Sequence, residues 1–155
     1  MPVKRHERYM KEALKEAERA LELGERPIGV LILQKSRVIA RAHHQVKTLR
    51  DPTAHAAVIA ITQAVNTLQS DHLNGTTIYL TQEPCCMCVG AILSSGISRL
   101  VFGIEDVKQG ACGSVVNLPA NERLNRKLLV VRDVLASECA AMLRRAPTDA
   151  RPYRD

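Results

Sequence analysis

The sequence contains no tryptophan, one phenylalanine and three tyrosines, so aromatic side chains make up only 3% of it. This scarcity excludes a nucleic-acid-binding surface built on rows of stacked aromatic rings. Long hydrophobic runs are also missing, since the stretch from Ile28 to Leu33 is far shorter than the ~18 residues of a membrane span. The first residues, Met1 to Lys15, are rich in charge and lack the apolar core of a signal peptide. We therefore expect a cytoplasmic protein that does not cross a membrane.

The rest of the composition is that of an ordinary globular protein, with 46% hydrophobic and 25% charged residues. A chain of 155 residues fits one domain, and we find no internal repeat and no interdomain linker. We expect a single domain over residues 1–155, in which the polar segment 146–155 is a flexible tail. The net charge of +6 is typical of a soluble basic domain and also of one that binds an anionic partner such as RNA. Five cysteines without an export signal indicate reduced thiols or metal ligands rather than disulfides.

Hydrophobic periodicity and turn residues predict alternating helices and strands. The predicted helices are Lys4–Leu23, Ala54–Leu68, Cys85–Ser95 and Val134–Arg145. The predicted strands are Ile28–Leu33, Val38–Arg41, Thr76–Thr81, Arg99–Phe102 and Leu128–Val131. This order favours an α/β fold with a central mixed sheet and helices on both faces. Right-handed crossovers then place the starts of the second and third helices at the same edge of the sheet.

These two helix starts carry residues with metal-ligand chemistry. Cys85 and Cys88 form a Cys-x-x-Cys pair directly after Pro84, and His55 lies at the start of the other helix. Two thiolates and one imidazole give a tetrahedral zinc ion three protein ligands and leave one position open for water, as in catalytic zinc sites. The positive end of a helix dipole favours the thiolate form of both cysteines. Taken alone, the Cys-x-x-Cys pair is also typical of a redox pair or of half a structural zinc site.

The order of the motifs resembles that of the zinc-dependent nucleobase deaminases, because Asp-Pro-Thr-Ala-His-Ala at 51–56 precedes Gln-Glu-Pro-Cys-Cys-Met-Cys at 82–88. With GERPIG at 24–29 and GACGS at 110–114, the chain from about Tyr9 to Leu143 is similar to the bacterial tRNA-specific adenosine deaminases of the cytidine deaminase-like superfamily. Those enzymes convert the wobble adenosine of a tRNA to inosine.

The resemblance implies a three-layer α/β/α sandwich around a five-stranded mixed sheet, and a homodimer whose active site borrows residues across the interface. It implies that Zn²⁺ is held by His55, Cys85 and Cys88. It also implies that the substrate, a tRNA anticodon arm or a small purine, is contacted by Pro27, His44, Ala56 and Pro84.

One departure from the resemblance bears directly on catalysis. In the similar enzymes, zinc activates a water that attacks C6 of adenine, and a carboxylate two residues after the histidine carries the protons. Ala57 occupies that position here, and a methyl group accepts no proton. Because general acid–base catalysis is worth about 10² to 10⁴ in rate, we predict a chain that binds metal but turns over poorly. A deliberate replacement and a natural divergence both account for the alanine.

Other departures concern substrate recognition. His44 replaces an asparagine that contacts the purine, and it is interpreted as an exposed loop residue, a substitute proton carrier or a residue that reshapes the pocket. Arg126 follows Asn125 where the similar enzymes have a histidine, and basic residues replace their aromatic tail. Five basic residues are candidates for RNA phosphate contacts or belong to a solvated surface: Arg123, Arg126, Lys127, Arg144 and Arg145.

The sequence therefore leaves three functions open. The first is a deaminase of the tRNA wobble adenosine that lacks its proton carrier. The second is a deaminase of a free purine base or nucleoside such as guanine. The third is a non-catalytic subunit that keeps the zinc for structure and binds RNA or an active partner.

Overall fold

The computed structural model describes residues 2–150, which form five helices and five strands. The helices are α1 (Val3–Glu22), α2 (Val46–Leu49), α3 (Ala56–Leu68), α4 (Cys86–Ser95) and α5 (Ala136–Arg144). The strands are β1 (Gly29–Gln34), β2 (Arg37–His43), β3 (Thr76–Gln82), β4 (Arg99–Ile104) and β5 (Leu129–Val131). Short 3₁₀ turns lie at Glu122–Leu124 and Thr148–Ala150. Within residues 2–150, no helix has both the length and the hydropathy of a membrane span.

The five strands form one mixed sheet in the order β2-β1-β3-β4-β5. Strand β1 pairs antiparallel with β2 and with β3, whereas β3, β4 and β5 run parallel. Helices α3 and α4 pack on one face through residues such as Ala60 and Ile92, and α1 and α5 pack on the other through residues such as Met10 and Cys139. The predicted α/β fold with a central five-stranded mixed sheet is confirmed.

At most ends of the helices and strands, the predicted boundary differs from the observed one by one or two residues. The start of α3 shows how a sequence pattern can misplace such a boundary. A helix from Ala54, started by Asp51 and Thr53, was expected, but α3 begins at Ala56 with His55 as its extended N-cap residue. Asp51 instead closes the preceding turn, since its Oδ1 accepts hydrogen bonds from the backbone N–H and the hydroxyl of Thr53. The short helix α2 was not predicted, because four residues show no periodicity.

The predicted flexible tail at 146–155 lies partly outside the described residues. Within them, Thr148–Ala150 forms a 3₁₀ turn, and the carboxylate of Asp149 lies 2.7 Å from Nζ of Lys47. Solvent screens an exposed ion pair of this kind, so it is a weak attachment of this segment to the domain.

Helix α1 lies so close to the sheet that only glycine fits at one point of β1. A Cβ on Gly29 would overlap the carbonyl oxygen of Ala13 and lie 2.5 Å from the backbone nitrogen of Ala17. Gly90, inside α4, is a matched control, because a Cβ there meets no atom within 4 Å.

We expect Gly29→Ala to destabilise the protein by about 1–3 kcal/mol or more, because backbone rather than a flexible side chain must move. We expect Gly90→Ala to stabilise it by about 0.5–1 kcal/mol, because alanine loses less backbone entropy in a helix. Urea unfolding of the two variants measures both changes. Equal effects at the two positions would contradict the packing described for α1.

Candidate active site

The starts of α3 and α4 meet at the carboxyl end of β3, as the crossover argument predicted. His55 precedes the first residue of α3, and Cys85 precedes the first residue of α4. Nδ1 of His55 lies 3.6 Å from Sγ of Cys85 and 3.4 Å from Sγ of Cys88. Tetrahedral bonds of about 2.3 Å to sulfur and 2.0–2.1 Å to nitrogen require an S···N separation of about 3.6 Å. The three donor atoms, all within 4.8 Å of one another, therefore fit a zinc ion.

The electrostatics of the two thiols also suit a cation. A hydrogen bond from the Cys88 thiol, followed by one from His55, lowers the pKa of Cys85 to about 4. The same bond, together with burial, raises the pKa of Cys88. Cys85 therefore loses its proton more readily than Cys88, whose proton is the second to leave. A divalent ion among the three donors favours loss of that second proton, because thiolates are the metal-binding form.

A pocket opens above the three donors and encloses about 430 Å³ of empty space, including open solvent at its mouth. Ile28 and Leu80 provide apolar walls, and the N-terminal turn of α3 contributes Ala56 and Ala57. Of the predicted substrate contacts, His44, Ala56 and Pro84 line the pocket. Pro27 is not among the lining residues, although its neighbours Arg26 and Ile28 are.

His44 is buried in this pocket, so its interpretation as an exposed loop residue is wrong. Its side chain is 7% exposed, and its ring centroid lies 4.7 Å from that of His55. The backbone N–H of His44 donates to the carbonyl of Ile28, which fixes the residue beside β1. Burial, and then the neighbouring His55 and Arg26, lower the pKa of His44 to about 3. The imidazole is therefore neutral, and its Nδ1 is buried without a hydrogen-bond partner.

Two carboxylates line the pocket, and both already accept hydrogen bonds from the protein. One oxygen of Glu83 accepts from the backbone N–H groups of Cys112 and Ser114, and the other accepts from the N–H of Asp106 and the Ser114 hydroxyl. Burial opposes the ionisation of Glu83, but these four donors outweigh it and lower the pKa of the carboxyl. Asp106 accepts from the backbone of Lys108 and of Gln109, and its other oxygen lies 3.9 Å from Arg26.

The bonds of Glu83 attach the loop that follows β4 to the end of β3. We expect Glu83→Gln to destabilise the protein by about 1–3 kcal/mol, because the NH₂ that replaces one oxygen faces at least one backbone N–H, which cannot accept a hydrogen bond. Glu105→Gln is the matched control, since that exposed carboxylate has only a 3.5 Å contact with Ser114, and its effect should stay within about 0.5 kcal/mol. Urea unfolding of both variants, each saturated with zinc, tests this difference.

The predicted phosphate contacts do not line the pocket. Arg123, Arg126 and Lys127 are exposed on the segment between β4 and β5. Arg144 and Arg145 end α5, on the face of the sheet that α1 covers. Arg145 already forms two hydrogen bonds with Glu18, at 2.7 and 2.9 Å, so it is less available to an anion than the other four.

Several pocket residues were not singled out from the sequence. Arg26 donates to the side-chain oxygen of Gln82 at 2.8 Å, and together with Glu83 and Asp106 these residues form the polar wall of the pocket. Three of the four lie inside the GERPIG and QEPCCMC motifs, so motif membership was the available signal. Their roles depend on side-chain directions that a single sequence does not contain.

Comparison with known proteins agrees with this geometry. The sequence model of the MafB19-like deaminase family matches residues 4–137. The tRNA-specific adenosine deaminase of Bacillus subtilis is 44% identical over 137 residues, which cover 88% of this chain and 85% of the relative. That of Haemophilus influenzae is 41% identical over 138 residues, which cover 88% and 80% of the two chains.

Solved structures show the same fold. A structure from a study of A-to-I editing by tRNA:A34 deaminases at the wobble position superposes with a TM-score of 0.84 at 37% identity, covering 87% of this chain and 98% of the other. A guanine deaminase from Nitrosomonas europaea superposes with a TM-score of 0.76 at 25% identity, covering 89% and 82%. The cytidine deaminase-like fold expected from the sequence is therefore confirmed.

Proposed function

Since this chain belongs to the MafB19-like deaminase family, we propose that it is a zinc-dependent hydrolytic deaminase of the tRNA wobble adenosine-to-inosine type. We propose further that its activity is impaired, because Ala57 stands at the position of the proton-carrying glutamate. The names of its relatives support the tRNA substrate. The observation that carries the proposal is the convergence of the donor atoms of His55, Cys85 and Cys88 at the base of a pocket with apolar and polar walls.

The residues of this chain have separable roles in that reaction. His55, Cys85 and Cys88 would hold the zinc, which when bound supplies an acidified water at its fourth position. Ile28 and Leu80 present apolar surface to a base and exclude bulk water from it. Gln82, held by Arg26, offers an amide to the polar edge of a purine. His44 contributes the unpartnered Nδ1 as a further contact to the base.

Among the described residues that line this pocket, none is suited to replace the missing carboxylate. Ala57 is 2% exposed and ends in a methyl group. Both oxygens of Glu83 accept hydrogen bonds from the loop after β4, and one oxygen of Asp106 accepts from the backbone of Lys108 and of Gln109, so these atoms already have partners. His44 is neutral but has a pKa of about 3, so it binds protons too weakly to carry them efficiently near pH 7. Binding without rapid turnover is the behaviour that we propose.

Two other functions have specific support. The match to a guanine deaminase structure, and a histidine in place of the purine-binding asparagine, favour a free purine base as an alternative substrate. The alanine at position 57 favours a non-catalytic subunit that pairs with an active one. We also propose the homodimer that the resemblance implies. The exposed side chains of Val115, Val116 and Leu124 provide apolar surface for its interface.

The choice between these functions is tested with an Ala57→Glu variant, loaded with zinc and given two substrates in parallel. One is an anticodon stem-loop RNA with adenosine at the wobble position, and the other is free guanine. We expect inosine in the RNA and no ammonia from guanine. Ammonia from guanine alone would establish the second function, and RNA binding without either product would establish the third.

A further inference from the structure

A second cleft lies at the opposite end of the sheet from the candidate active site. It is formed where β3 and β4 begin, by Gly75, Thr76, Thr77, Ser98 and Arg99, together with Arg5 from α1 and Lys35 from the β1–β2 turn. The cleft encloses about 510 Å³ of empty space, including open solvent at its mouth. Strand β3 separates the two sites, because its last residue, Gln82, lines the active-site pocket.

Among residues 2–150, three cations line this cleft and no carboxylate does. Among residues 2–150, none of the ion pairs involves Arg5, Lys35 or Arg99. Within the part of the chain that the structure describes, Arg5 bonds to two uncharged oxygens, the carbonyl of Lys35 and the hydroxyl of Ser36. Nε of Arg99 is buried with no hydrogen-bond partner. Cations gathered in this way repel one another, and a bound anion would relieve the repulsion.

Neutral donors and the helix α1 add to the positive field. The hydroxyl of Ser98 accepts from the N–H of Gly75 at 2.8 Å, which leaves its own hydrogen available to donate. Thr77 is the register partner of Arg99 on the neighbouring strand, so both side chains lie on the α1 face. Arg5 belongs to the first turn of α1, which contains no acidic residue and no side-chain cap. The positive end of that helix dipole is therefore not neutralised by the protein.

The buried imidazole of His6 lies close enough to the cleft for the positive charges of the cleft to affect its pKa. Its Nδ1 lies 2.9 Å from the hydroxyl oxygen of Tyr79. In the sequence, His6 directly follows the cleft residue Arg5, and Tyr79 lies two residues after the cleft residue Thr77. Burial, and then the charges of Arg99 and Arg5, lower the pKa of His6. Both arginines are thus close enough to act on the same buried ring, although they belong to β4 and α1.

We propose that this cleft binds a phosphate group, through the guanidinium groups of Arg5 and Arg99 and the ammonium group of Lys35. Guanidinium forks suit tetrahedral oxyanions because they donate two parallel hydrogen bonds. The Ser98 hydroxyl completes the donor set. The phosphate belongs either to an RNA backbone or to a free small molecule, and the proposal does not depend on the deaminase function.

Titration with inorganic phosphate and with pyrophosphate, followed by NMR of the zinc-loaded full chain, tests the proposal. We expect saturable shifts of the His6 imidazole and of the Gly75 and Ser98 amides. Arg99→Gln should weaken the affinity by about tenfold or more, which is the loss of one charge-assisted hydrogen bond. Lys11→Gln is the control, because it removes one charge from an exposed position of the same helix and should change the affinity by less than twofold.

Two results would overturn the proposal. One is the absence of saturable shifts at these positions, and the other is equal weakening by Arg99→Gln and Lys11→Gln. If phosphate binds, competition with a stem-loop RNA identifies the source. Displacement by the RNA, together with weaker RNA binding in Arg99→Gln, assigns the cleft to an RNA backbone. Phosphate binding that the RNA does not displace assigns it to a free small molecule.

Discussion

The variant Ala57→Glu is expected to deaminate the wobble adenosine of an anticodon stem-loop about 10² to 10⁴ times faster than the chain with alanine. Position 57 lies in the first turn of α3, two residues after His55, and its side chain points into the pocket. In the proposed function, a glutamate at this position carries protons to and from the substrate above the three donor atoms. The rate of inosine formation under single-turnover conditions measures the gain.

The matched control is Ala57→Gln, which has the shape of glutamate but transfers no proton. It should leave the rate within a few-fold of that of the alanine chain. A gain as large as that of Ala57→Glu would show that pocket filling, not proton transfer, limits the reaction. An Ala57→Glu variant that holds zinc, binds the RNA and forms no inosine would contradict the proposed function.

The second large effect is expected from Cys88→Ser. This side chain is buried, and its sulfur completes the triangle of donors with His55 and Cys85. Loss of one of three protein ligands should lower zinc content from one ion per chain to nearly none after dialysis, because serine is a poor zinc ligand. The zinc-dependent part of the stability is lost with it, about 2.7 kcal/mol when zinc is present at 100 times its Kd.

Cys86→Ser is the control for this change. Cys86 is the adjacent thiol in the same motif, but it is exposed and lies outside the cluster of donors. Its replacement should leave both the zinc content and the chelator-sensitive shift of Tm unchanged. Zinc loss in Cys86→Ser, or zinc retention in Cys88→Ser, would assign the metal to a different set of ligands.

The sequence predicted the sheet and the position of the site because both follow from local signals. Alternating helix and strand patterns determined the element order, and right-handed crossovers then brought the starts of α3 and α4 to one edge. The N-terminal limit of α3 was missed because Asp51 and Thr53 carry the composition of a helix cap but bond to each other in a turn. Composition identifies candidate cap residues but not which backbone N–H each one reaches.

The polar wall of the pocket was beyond sequence reasoning for a different reason. The saturation of Glu83 depends on donors at positions 106, 112 and 114, which reach it only after the loop folds back over the end of β3. The position of His44 likewise involves a hydrogen bond from its backbone N–H to the carbonyl of Ile28, which joins the end of β2 to the start of β1. Both are tertiary contacts between segments that carry no shared periodicity.

Zinc K-edge X-ray absorption of the purified chain identifies the ligands of the proposed metal site. We predict one zinc per chain with two sulfur ligands at about 2.3 Å, one nitrogen at about 2.0–2.1 Å and one further light-atom ligand at the open position. A zinc bound by four sulfurs, or a chain that binds no zinc when the ion is supplied, would contradict the account.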